Sequence, residues 1–380
     1  MAQRVKTDWV LFFTIVFMVC FGLVMVYSAS SVLSQMKYAW SGHFLVRQAG
    51  WAIGSFLVLM YLKKKDYRVL RSPAWAFGAL GIVVAMLLAV YFVDSHTHRW
   101  FRFGGIGSIQ PSEFAKPALA IFLAYFLTER ARAINHRHTV LPAALALGLL
   151  AITVVVADLG TAVVLVLTAA VVFYVAGLDK RYFLAALGLG AVLAVGAIAA
   201  KPYRLARIIG YADPNYTLLD KIDPEGRIKN YINESITTRD AGYQARQSKI
   251  AVGAGGAIGA GLMQGRQKLF YLPEAHTDFI YAVVGEELGL FGCSALLAGF
   301  LILLWRGCHL FWTAPDDFGR FLALGITASI VIQALMNMSV VLDLGPTKGI
   351  PLPMISFGGS SLLTTLMSLG ILLSVSEHAG

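Results

Sequence analysis

A chain of 380 residues that is 58% hydrophobic and 14% charged, with a mean hydropathy of +0.70, is too apolar for a set of water-soluble domains. Those proportions exclude collagenous, disordered and disulfide-scaffold classes, and the hydrophobic positions suffice for roughly ten membrane spans of about 20 residues. The net charge of +10, from 31 Lys and Arg against 21 Asp and Glu, reports topology rather than nucleic-acid binding, because the basic residues gather at the ends of apolar runs.

Arg4 and Lys6 precede a first apolar run that continues to about Ala29 without a small-residue cleavage site, which predicts an uncleaved first span. Runs without sustained charge follow at 46–62, 74–93, 111–128, 139–157, 159–177, 182–200, 278–304, 318–340 and 357–375. With the first at 9–29, the expectation is an all-α polytopic membrane protein of about ten transmembrane helices, a single domain over 1–380. Lys63, Lys64, Lys65, Arg68 and Arg71 follow span two, Arg130, Arg132 and Arg137 follow span four, and Lys180 and Arg181 follow span six. The positive-inside rule puts those loops and both termini in the cytoplasm, with Arg306 after span eight agreeing. Asp158-Leu159-Gly160 alone separates spans five and six, and the basic loop after Gly177 argues against a re-entrant pair. Cys20, Cys293 and Cys308 are too scattered for a metal site or disulfide framework and are expected to be packing residues.

Residues 201–277, between spans seven and eight, form a large polar loop with 11 Lys and Arg and 7 Asp and Glu, extracytoplasmic in this topology. Loops of this length escape the charge rule and are usually functional or disordered. Asp213 to Asp240 reads as solvated and mobile. The glycine-rich Ala251 to Gly261 reads either as a flexible linker or as a segment folded back on the membrane, whose glycines let backbone approach a bulky ligand.

Ionisable side chains in or beside spans are costly and therefore candidate site residues. In Gln110-Pro111-Ser112-Glu113-Phe114-Ala115-Lys116, proline suits the first helical turn, and Glu113 and Lys116 share a face, as a structural pair or as part of a site. Asp158 reads as a helix cap or a site residue. Thr277 or Asp278 is placed to cap span eight, and capping alone accounts for Asp278; Glu286 and Glu287, about 12 Å further along the helix, need internal partners. Asp343 to Gly359, with Lys348 and three prolines, interrupts the approach to span ten, which is tolerated only against protein or a wet cavity. Together Arg99, Arg102, Glu113, Lys116, Asp158, Arg246, Lys249, Asp278 and Lys348 fall near the outer interface. Such a mixture suits a substrate with an anionic head and an apolar tail: cations hold a pyrophosphate while a carboxylate accepts a proton from a hydroxyl.

The sequence resembles the SEDS family (shape, elongation, division and sporulation), polytopic peptidoglycan polymerases that include FtsW and RodA, over almost its whole length. The resemblance rests on Val24 to Ser30, Arg99-Trp100, Gln110 to Lys116, Asp158 to Gly160, Gly242-Tyr243-Gln244 with Gln247-Ser248-Lys249, Gly253 to Gly261, Gly265-Arg266-Gln267, Leu272 to Gly289 and Pro351 to Ser360. Pro346-Thr347-Lys348-Gly349 is closer to the FtsW and sporulation branch than to RodA. Ala157 stands where the family commonly has proline, Ser95 to His98 replace the usual Gly-Ala before Arg-Trp, and the insert near 215–240 is long.

This resemblance implies inverting glycosyl transfer from lipid II, building glycan strands for the septal wall in the bacterial cytoplasmic membrane, with the reaction on the outer face. It implies Asp278 as general base, Glu113 and Lys116 in the catalytic machinery, and Arg99, Asp158, Arg246, Gln247, Lys249, Lys348 and Ser356 as substrate-binding residues. Arg99, Lys116, Arg246 and Lys249 are expected to stabilise the leaving group, and the adjoining helix N-terminus to favour the Asp278 carboxylate. No metal-ligating residue set or tightly bound cofactor is expected, although a divalent Mg or Mn ion could ride on the pyrophosphate. The implied partners are a single-span class B penicillin-binding protein (a transpeptidase) and other divisome or elongasome membrane proteins, not nucleic acid. A RodA-like elongation polymerase, a lipid II flippase (transporter) and a recruiting scaffold are the alternatives.

Overall fold

Hydrocarbon leaves backbone N–H and C=O groups no partner but each other, so the apolar runs become helices. The computed structural model describes residues 7–94, 97–102, 104, 107–213, 217–223, 226–233, 241–346 and 348–378. Arg4, Lys6, Ser95, His96, Thr347 and, within the stretch expected to be mobile, 214–216, 224–225 and 234–240 lie outside the described residues. Seven helices come first: α1 (Trp9–Tyr38), α2 (His43–Lys64), α3 (Pro73–Val93), α4 (Pro111–Arg130), α5 (Arg137–Ala157), α6 (Leu159–Val175) and α7 (Lys180–Ala199). The polar loop contributes α8 (Pro202–Ala212), α9 (Thr217–Ile222), α10 (Arg227–Asn233) and α11 (Ala241–Gly255), and the chain ends with α12 (Ile280–Thr313), α13 (Asp317–Val341) and α14 (Gly359–His378). A two-residue antiparallel pairing, β1 (Phe101–Arg102) with β2 (Ser108–Ile109), precedes α4.

Each of the ten expected spans is a helix. Eight are long and apolar enough to cross a membrane; α6 is shorter at 17 residues, and α4 carries Glu113, Lys116, Glu129 and Arg130. Two helices outrun their apolar stretch. The first run ends near Ala29, yet α1 continues to Tyr38 because Ser28, Ser30, Ser31 and Ser34 are buried by neighbours and hydrogen-bonded. Likewise α12 continues to Thr313, so Arg306 lies inside the helix rather than after it.

The helices enclose two apolar cores. One is built from α1, α2, α12, α13 and α14, the other from α3, α4, α5 and α6. Helix α4 belongs to both, supplying Ala120 and Ala124 to the first and Leu119, Phe122 and Leu123 to the second. By contrast α7 buries no side chain and stands at the periphery. Of the cysteines only Cys293 packs inside; Cys20 and Cys308 are exposed on the flanks of their helices, a correction to the expected packing role.

Three ion pairs gather one end of the bundle: Asp8 with Arg306 at 2.7 Å, Lys63 with Glu377 at 3.3 Å and Arg68 with Asp316 at 3.1 Å. They join the start of α1, the ends of α2 and α14, the C-terminal part of α12 and the start of α13. The polar loop and the site lie at the other end.

The glycine-rich segment after Val252 does fold back, and its glycines serve a different purpose from the one expected. They bring backbone against backbone rather than against a ligand. A Cβ at Gly259 (φ +89) would collide with the main chain at Glu287, and one at Gly289 (φ +61) with Ala257 and Gly259. Helix α12 breaks its φ/ψ at Gly289, and the freed groups cross-bond: Ala260 N to Glu286 O at 2.9 Å, Gly261 N to Glu287 O at 3.0 Å and Leu290 N to Gly256 O at 2.9 Å. Glu286 and Glu287 find the internal partners they need there. Glu286 accepts from the N–H groups of Arg266 and Gln267, and Glu287 pairs with Lys268 at 2.6 Å and accepts from Ser28 and Met263 N.

Candidate active site

Five backbone segments meet at the end of the bundle opposite the ion-paired one: the loop before β1, the α5–α6 turn, the start of α8, the segment leading into α12, and the irregular stretch between α13 and α14. They enclose a cleft of about 440 Å³. Arg99, Lys201, Arg204, Arg207 and Lys348 line it, against the carboxylates of Glu274 and Asp278. Five formal cations facing two anions make it a receptor for negative charge.

Asp158 organises one wall. As N-cap of α6 it accepts from Gly160 N at 2.9 Å and from Thr161 Oγ1 at 2.9 Å, so the cap reading is correct. The same carboxylate also receives Arg99 Nη2 at 3.0 Å and Lys348 Nζ at 3.4 Å, two residues that line the cleft. Burial is the largest influence and raises its pKa, but Arg99 and Lys348, with the hydrogen bonds from Thr161 and Gly160, together outweigh it and hold the carboxyl below its usual range. Arg99 is fixed from behind, its side chain donating to Ala157 O and its N–H to Asp94. Burial lowers the Lys348 ammonium, only partly offset by Asp158.

Asp278 differs from what capping would make it. The cap position of α12 is Phe279, with no side-chain cap bond, and the helix begins at Ile280. No described residue makes a hydrogen bond or ion pair to the Asp278 carboxylate; only its main-chain carbonyl is held, by Asn337 Nδ2 at 2.7 Å. Burial, then the neighbouring Glu274 and Asp158 carboxylates, push the carboxyl up to about 7, with Arg99 and Arg207 offsetting part of the effect. The expected helix-dipole stabilisation is overridden by burial and like charge. A carboxyl that titrates near neutrality and lacks a partner is suited to take a proton and release it again.

Of the remaining expected site residues, the structure brings some to the cleft and turns others away. Glu113 and Lys116 pair at 2.7 Å, both buried, and Lys116 also donates to Gln333 at 2.6 Å. They tie α4 to α13 and are not among the residues lining the cleft, so the expected contact between Lys116 and a leaving group is corrected to a structural tie. The expected residues Arg246, Gln247 and Lys249 lie on α11, a helix within the polar loop, and turn away from the cleft. Arg246 is exposed, Lys249 pairs with Asp343 at 2.7 Å, and Gln247 does not line the cleft, whereas Gln244 does. Ser356 is buried and donates to Thr277 O at 2.6 Å while accepting Leu352 N at 2.8 Å, which fixes the loop rather than a substrate.

Sequence reasoning missed the cationic face of α8. Pro202 starts the helix at its first turn, and Arg204 is anchored by the carbonyls of Ala197 and Val155 at 3.1 and 2.9 Å. The signal was present: Lys201, Arg204 and Arg207 recur every third residue and so share one helical face. Counting the charges of the whole loop together concealed it.

Fold and site together define a polytopic membrane protein with a cationic cleft and one unpartnered carboxylate at one end of its helices. The FtsW/RodA/SpoVE family model, described as "Cell cycle protein", matches residues 8–380, and the chain belongs to that family. It is 40% identical to a probable peptidoglycan glycosyltransferase FtsW of Geobacter metallireducens, covering 98% of this chain and 95% of that one. It is 37% identical to stage V sporulation protein E of Bacillus subtilis, covering 99% of each. Among solved structures, a chain from work on the structural coordination of polymerization and crosslinking by a peptidoglycan synthase complex is 28% identical. It superposes with a TM-score of 0.75 over 98% of both chains.

Proposed function

We infer that this chain is a peptidoglycan glycosyltransferase that polymerises glycan strands from lipid II in septal wall synthesis. The observation that carries the mechanism is the unpartnered Asp278 carboxylate on the wall of a five-cation cleft. In the reaction, a sugar hydroxyl of the acceptor attacks the anomeric carbon of the donor and passes its proton to Asp278. The bond from that carbon to the pyrophosphate oxygen breaks, and the pyrophosphate departs with the bonding electrons. One displacement at one carbon inverts its configuration.

Arg99, Lys348, Lys201, Arg204 and Arg207 are set to neutralise the charge that develops on the leaving group, an electrostatic role that needs no movement during reaction. A divalent cation such as Mg or Mn would add Lewis-acid charge neutralisation. The cleft offers Asp278 and Glu274 as its only lining carboxylates among the described residues, a donor set that fits a cation carried mainly on pyrophosphate oxygens.

The positive-inside rule directs the cleft to the outer face of the bacterial cytoplasmic membrane, with both termini in the cytoplasm. Because the solved relative comes from a peptidoglycan synthase complex that couples polymerization with crosslinking, a penicillin-binding transpeptidase of class B is the partner we assign, within a larger divisome assembly. The decisive test is a polymerisation assay on purified lipid II with wild type and Asp278→Asn, each alone and with the transpeptidase. Glycan formation at equal rates by wild type and Asp278→Asn would remove Asp278 from its role.

A further inference from the structure

We propose that Asn337, in the interior of α13, is a positioning residue that fixes the base Asp278 relative to the opposite, Lys348-bearing wall of the cleft. This rests on the reading of Asp278 as general base.

One amide nitrogen holds two strands. Asn337 Nδ2 donates to Asp278 O and to Ile350 O, each at 2.7 Å. The two carbonyls dictate the orientation of the amide, since a flipped Oδ1 would face both of them. In the observed orientation Oδ1 is buried without a partner, so the fork is formed at the expense of the other half of the side chain. An apolar side chain of the same size would fill the space but leave both carbonyls without this donor, so the fork rather than packing accounts for the amide.

The two strands need such a tie. Asp278 and Gly349 are packed so closely that a Cβ on Gly349 would collide with Asp278 Oδ2. The loop carrying Gly349 and Lys348 has no regular secondary structure, so side chains must define it. Gln333, one turn before Asn337 on α13, donates to Pro351 O at 2.8 Å and receives Lys116, which extends the same brace to α4. Without the fork, the base and the cation that faces the leaving group are free to shift relative to each other. A misplacement of about 1 Å can cost about 10²-fold in rate.

The test uses the full-length protein, purified in detergent, with kcat and KM for lipid II normalised to the folded fraction. Asn337→Ala is expected to lower kcat about 10- to 100-fold while KM stays within about twofold. Asn337→Asp keeps the volume but loses the fork and adds negative charge beside Asp278, so it should also lower kcat and move the acid limb of the pH–rate profile to higher pH. Ser329→Ala is the control: Ser329 is another buried polar residue of α13, bonded only within its own helix to Ile326 O. The proposal is overturned if Asn337→Ala and Asn337→Asp keep wild-type kcat per folded molecule, or if Ser329→Ala loses kcat equally. Asp278→Asn is assayed beside them. If that variant stays active, the base assignment fails; if it is inactive while the Asn337 variants are normal, only the brace fails.

Discussion

The two ends of the helical bundle handle charge in opposite ways. At the terminal end three carboxylates tie helices together through a cation: Asp8 has Arg306, Glu377 has Lys63, and Asp316 has Arg68 together with the Tyr67 hydroxyl. At the other end cations outnumber carboxylates along the cleft, and Asp278 is left without a partner for its carboxylate among the described residues. Neutralised charge holds helices together; unbalanced charge is a site awaiting a ligand of opposite sign. The central pair Glu113–Lys116 has the composition of a site and the closed bonding of the terminal end, which is why it belongs with the structural pairs.

Five measurements would break or sharpen that contrast. Asp278→Asn should lower turnover by about 10²- to 10⁴-fold, the range of general base catalysis, with the protein still folded. Arg306→Ala should do the reverse, leaving Asp8 buried and unpaired. A loss of about 3–5 kcal/mol in stability is expected, with turnover per folded molecule unchanged, read from thermal unfolding beside the assay. Equal effects on activity from the two substitutions would erase the distinction between the ends.

Arg99→Ala should reduce kcat by about 10- to 100-fold, because it removes one cation among five and loosens Asp158. The pH response is smaller. With the Asp278 carboxyl at about 7, turnover should fall about tenfold per pH unit on the acid side and level off above neutrality. Stability should run the other way. Between about pH 4, where the unfolded carboxyl titrates, and about pH 7, the folded state binds the extra proton, so stability from this group declines as pH rises. Asp278→Asn should abolish that slope in a pH series of melting curves.

The comparison also shows where sequence reading works. Lys348 and Asp158 were legible because a charge beside a span is expensive and must have a reason. Arg246, Gln247 and Lys249 were expected at the site, but the polar α11 shows no apolar stripe in sequence to say which face turns inward, and Gln244 is the residue that lines the wall. The capping role read into Asp278 failed for a related reason: cap patterns are local, whereas the start of α12 is set by the packing of Phe279 and the bonds from Asn337, Ser356 and Phe357 N.

What the sequence determined by itself is the set of long apolar helices, their order and the end at which the costly charges collect, because the hydrocarbon thickness demands about 20 apolar residues per span whatever the neighbours do. Which charges pair and which stay open was decided only by the tertiary structure. Whether Lys116 meets Glu113 or a substrate, and whether Asp278 caps a helix or faces a cleft, depends on segments far apart in the chain arriving within a few ångströms of each other. No local pattern encodes that meeting.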